Sequence, residues 1–66
     1  MLTEEMIAFR ARHNFSQRKA ATLANITFMT WSNVERGVQS PSKLTEQKIR
    51  MAIMEGDQNE SINKQN

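Results

Sequence analysis

Phe15-Ser16-Gln17-Arg18-Lys19-Ala20-Ala21-Thr22-Leu23-Ala24-Asn25-Ile26-Thr27-Phe28, continued to Arg36-Gly37, decides the fold of this 66-residue chain. Ser16 is a good helix N-cap with an apolar residue just before it, so a short helix is expected over 17–24 with Ala20, Ala21, Leu23 and Ala24 facing inward. Asn25 breaks that helix, Ile26 is apolar, and Thr27 is ready to cap a second helix over 28–36 that Gly37 stops from the C′ position. A break of only about three residues forces two helices to cross steeply, and that is the geometry of a helix-turn-helix unit. Small alanines on the first of the two let them approach closely.

Outward from this pair, Thr3 with Glu4 and Glu5 reads as the cap and acidic first turn of an opening helix. That helix carries Met6, Ile7, Phe9 and Arg10 and ends at Asn14 in a left-handed turn. On the other side, Ser40-Pro41-Ser42 restarts the chain with Pro41 at or near a first helical position. Leu44, Ile49, Met51, Ala52, Ile53 and Met54 then support a last helix ending near Gly56. Residues 57–66 contain one apolar side chain and are expected to form a disordered polar tail after a single domain over 1–56. No period-two alternation marks a strand, so the expected class is all-α, with four or five helices.

Composition narrows the function. With 38% apolar residues in a chain this short, the core is small and a substrate pocket is not expected. The absence of Cys and the presence of one His leave no material for a metal set or a catalytic triad, so neither an enzyme, a cofactor nor a small-molecule ligand is expected. The lack of Cys also fits a reducing compartment, and no apolar run is long enough for a membrane span or a signal peptide, so a cytoplasmic protein is expected. Charge is uneven: residues 1–54 carry eight Lys/Arg against Glu4, Glu5, Glu35 and Glu46, a net of +4, while the last dozen residues are net negative. A basic body mildly favours an anionic partner.

The Ser-Gln opening of the second helix, Ala21 and Leu23 within it, the Asn25-Ile26-Thr27 turn, Glu35 before Arg36-Gly37, and Pro41 together resemble the Cro and cI-type repressor family, also called XRE. The resemblance spans residues 3 to about 55. It implies a lambda-repressor-like domain in a bacterial or phage setting. It also implies a structural ion pair between Arg10 and Glu35, a phosphate contact at Gln17, and Trp31 and Val34 as core residues. The third helix becomes the working surface, with Phe28 and Met29, then Ser32 and Asn33, at the base-reading positions.

Those positions depart from the family. Phe and Met offer bases only a thymine-methyl contact or intercalation, and Val38 stands where a phosphate-binding Lys or Arg is common. At 100° per residue, 31, 34 and 35 face inward, 28 lies at the edge of that face, and 29, 32, 33 and 36 point outward. An exposed apolar ridge is the mark of a protein-binding surface. The chain therefore looks like a phage modulator of repression, or antirepressor, that binds the DNA-binding domain of a cI-type repressor and blocks or alters operator binding. The contacting residues are Gln17, Arg18, Phe28, Met29, Ser32, Asn33, Arg36 and Val38. The rival is a Cro-like repressor of a lysis-lysogeny switch that binds operator DNA itself, reading bases with Asn33 and Ser32 and phosphates with Gln17, Arg18, Arg36 and Lys43. Toxin-antitoxin or restriction-control regulators share the same fold.

Overall fold

The structure is a computed structural model that describes the backbone of residues 1–65 and the side chains of residues 1–58. Four helices follow one another, α1 (Leu2–His13), α2 (Gln17–Leu23), α3 (Phe28–Glu35) and α4 (Lys43–Gln65), with no strand among the described residues. The class is all-α, as expected, with a helix-turn-helix-like unit at its centre: α2 packs on α3, and α3 and α4 each pack on α1.

Local side-chain chemistry sets the helix boundaries. Ser16 Oγ accepts from Lys19 N at 3.0 Å, and Thr27 Oγ1 accepts from Thr30 N at 3.1 Å, so both short helices have a hydroxyl for one of their orphan amides. Asn14 (φ 58°) and Asn25 (φ 59°) turn the chain after α1 and α2 in the left-handed region that Asn tolerates best after Gly, and Gly37 (φ 80°) does the same after α3. In the α2–α3 turn, Ile26 N donates to Ala21 O at 3.0 Å while the Ile26 side chain packs against the core. Its backbone and side chain therefore hold the same corner.

The core is built from Met6 and Phe9 of α1, Ala20, Ala21 and Ala24 along α2, Trp31 and Val34 of α3, and Ile49 and Ala52 of α4. Burying a large apolar side chain is worth about 1.5–3 kcal/mol, so the fully buried Trp31, Phe9, Met6 and Ile49 dominate what holds the domain together. Among the described residues no helix is long and apolar enough to cross a membrane.

Several local expectations are corrected. Thr3 does not cap α1, whose cap is Met1, two residues earlier. Its hydroxyl instead donates to Val34 O at 3.2 Å and ties α1 to the end of α3. Leu23 faces solvent, because the three alanines of α2 already fill its contact with the core. Pro41 precedes the cap of α4 rather than opening the helix: Ser42 Oγ accepts from Thr45 N at 3.2 Å. The largest correction concerns residues 57–66. Rather than ending near Gly56 in an unstructured tail, α4 continues through Gly56 to Gln65; Asn66 lies outside the described residues.

The continuation of α4 has two physical reasons. Gly56 lies against the Phe9 ring so closely that a Cβ there would stand 2.8 Å from its Cε1 and Cζ, so this glycine permits close approach instead of ending the helix. One residue on, Asp57 Oδ2 accepts from Arg12 NH2 at 3.0 Å, and its Oδ1 lies 2.7 Å from His13 Nε2. The His13 ring is stacked on Phe15 (centroids 5.1 Å apart, planes at 13°) and meets the edge of Phe9, so α4 is fastened to the end of α1 at Gly56 and Asp57.

Candidate functional site

The inner side of α3 is organised by one buried carboxylate. Glu35 Oε2 accepts from Arg10 Nε at 2.7 Å and from Trp31 Nε1 at 3.0 Å; Oε1 accepts from Arg10 NH2 at 2.8 Å and from Gln17 Nε2 at 2.7 Å. Arg10 NH1 reaches on to the Phe15 carbonyl at 3.2 Å. The expected Arg10–Glu35 pair is present, and it is the two-pronged kind that fixes orientation as well as charge. Burial pushes the Glu35 carboxyl up, but the donors from Arg10, Gln17 and Trp31 outweigh it and hold the group below its ordinary value. The same node links α1, α2 and α3, so the pose of α3 is set by a saturated polar cluster.

This node alters two of the expected contact residues. Gln17 is at the mouth of α2, but its amide nitrogen donates one N–H to Glu35, so its side chain is oriented inward and only its second N–H is left for a phosphate. Ser32 was expected on the outer face and is only 8% exposed. The buried arc of α3 takes in Trp31, Ser32, Val34 and Glu35, half of this short helix, because α1 and α2 grip it from two sides.

The outer side has the opposite character. Met29 is 65% exposed and Val38 64%, while Phe28, at 38%, lies half in and half out. Met29, Asn33 and Arg36 follow one another at helical spacing along the same stripe. Val38 is folded back beside them, its N–H donating to Asn33 O at 3.0 Å. Asn33 is half-buried, and its side-chain nitrogen donates to Gln39 Oε1 at 3.4 Å. Arg18 and Phe28, on different helices, form a unit: the guanidinium carbon stands 4.5 Å from the ring centroid, within cation–π range.

The structure thus brings Arg18, Phe28, Met29, Asn33, Arg36 and Val38 onto one accessible face and withdraws Ser32 and most of Gln17 from it. Three contacts escaped sequence reasoning. The Trp31 contact with Glu35 was signalled by its four-residue spacing, since such neighbours meet on a helix. The Gln17 contact with Glu35 and the Gln39 contact with Asn33 carry no local signal, because both depend on how distant segments come together. Comparison with protein-family models, with curated proteins and with solved structures finds no match for the chain.

Proposed function

We propose that the chain is a small transcriptional regulator that acts through α3 by docking onto the DNA-binding domain of a partner repressor, of the phage cI type its own sequence resembles, and thereby blocks or alters operator binding. The observation that carries this reading is the exposure of Met29 and Val38 on the face where a DNA reader needs hydrogen-bond donors. Burial of Ser32 and the engagement of Gln17 support it further, since they leave Asn33 as the base-reading candidate on that face. Methionine is an adaptable interface anchor, and aromatic residues and arginine are the side chains that most often dominate protein contacts.

A Cro-like operator binder is the second reading. It is favoured by Arg18, Lys19, Arg36 and Lys43, all exposed cations suited to phosphates. The test mixes the full chain with duplex DNA from its own locus and, separately, with the repressor encoded beside it. The expected result is a complex with the repressor that Met29→Asp weakens by about 2 kcal/mol or more, roughly thirtyfold, without loss of helical content. Tight, sequence-specific and steeply salt-dependent binding of DNA by the chain alone would falsify the docking reading and establish the rival.

A further inference from the structure

We infer that the α3 face is built for an acidic protein surface that surrounds an apolar socket; the inference rests on the docking reading above and specifies the chemistry of the partner. Acidic side chains are segregated on this molecule. From Met6 to Thr45 the only carboxylate is Glu35, and it is buried with both oxygens occupied. Several acids of α1 and α4 are matched at home: Glu5 and Glu46 meet Arg50, and Asp57 meets Arg12 and His13. By contrast, Arg18, Lys19, Arg36 and Lys43 are exposed and meet no carboxylate among the described residues. Among the described residues no exposed carboxylate lies between Met6 and Thr45, so the charge that complements Arg18 and Arg36 beside the apolar ridge is one a partner would supply.

Two details turn a general basic character into a docking chemistry. Arg18 is held over the ring of Phe28, the neighbour of Met29 in sequence, which restrains its charge in advance and reduces the ordering cost of using it. Met29 projects from the same end of α3, and its unbranched thioether chain suits an irregular apolar socket. On a duplex, the exposed methyl and methylene groups of Met29 and Val38 would face phosphates and base edges with no hydrogen bond to offer. On a protein surface they are covered by the socket while Arg18 and Arg36 meet carboxylates at its rim, where charge complementarity steers association and selects the partner. The operator-reading face of a repressor is itself basic and would be repelled, so on such a partner the contact falls on an acidic side of the domain.

The experiment pans a displayed library of helical peptides on the immobilised full chain. Peptides carrying carboxylates on either side of bulky apolar residues are expected to be enriched. Their binding should be lost with Met29→Asp, should weaken about tenfold or more with the double change Arg18→Glu and Arg36→Glu, and should return to that double variant when the peptide carboxylates become lysines. Circular dichroism of each variant separates lost contact from lost fold. Enrichment of apolar peptides without a carboxylate bias, held equally by the charge-reversed variant, would overturn the acidic partner and leave protein docking standing. Selection of no peptide that depends on Met29 would overturn both.

Discussion

The two sides of α3 reverse the usual distribution of chemistry. The inner side buries a carboxylate and a hydroxyl, Glu35 and Ser32, while the outer side leaves Met29 and Val38 largely in water and Phe28 half so. The inner reversal is resolved within the molecule, because all four hydrogen bonds to Glu35 come from its own donors. Among the described residues none covers the outer one. A polar group that is buried and satisfied positions a helix; apolar groups gathered in an exposed patch are the material of a contact surface.

The comparison is most open to attack at Glu35. In Glu35→Gln one oxygen becomes an amide nitrogen, a donor facing donors, so two of the four hydrogen bonds lose their acceptor and Arg10 loses its counter-charge. Breaking a buried pair from one side costs about 3–5 kcal/mol, and because Arg10 is partly exposed we expect about 2–4 in urea unfolding. The pH dependence carries the same signature. The folded Glu35 carboxyl is held below its ordinary value of 4.5, so its stabilisation is complete above that value and is lost as pH falls through the folded one. The gap between the wild-type chain and Glu35→Gln should therefore narrow on acidification. Asp57, also held low by His13 and Arg12 despite some burial, leaves a slope of the same sign in both proteins. A gap that stays constant with pH would mean that the charge of Glu35 does not hold α3 in place.

A smaller effect is expected at Gly56. Alanine is the better helix former by about 1 kcal/mol, but its Cβ would meet the fully buried Phe9 ring at 2.8 Å. Overpacking of this kind costs about 1–3 kcal/mol, so Gly56→Ala should destabilise by about 1–2 net, read from the urea midpoint. Stabilisation would instead mean that α4 and α1 are not packed this closely.

Gly56 also marks the limit of what the sequence made legible. Where a boundary depends on a side chain meeting its own nearby backbone, as at Ser16, Thr27, Asn14 and Gly37, the residues predicted it. Gly56 and Asp57 have the same local look of an ending, yet their roles come from Phe9, Arg12 and His13 more than forty residues away. The site divides in the same way. Met29 and Val38 were legible as exposed from helical period and the position of Gly37. Ser32 was not, because the width of the buried arc depends on α1 and α2 closing from both flanks. The Gln17 contact with Glu35 was not legible either, because nothing local reveals that Glu35 lies within reach of its amide.

The smallest effect tests the outer side directly. A cation–π pair at an exposed site is worth about 0.5–1 kcal/mol, so a double-mutant cycle with Arg18→Ala and Phe28→Ala should give a coupling of about 0.5 in the free protein. Because Phe28 lies outside the core, neither single change should approach the cost of Glu35→Gln. A coupling of about 2 kcal/mol or more would make the pair a structural clamp between α2 and α3, and the contrast between the two sides of α3 would collapse. A coupling near zero would mean that the Phe28 ring does not hold Arg18 in place, so its charge would have to be ordered when a partner arrives. The small expected value lies between these: enough to bias Arg18 toward one pose, too little to matter for folding.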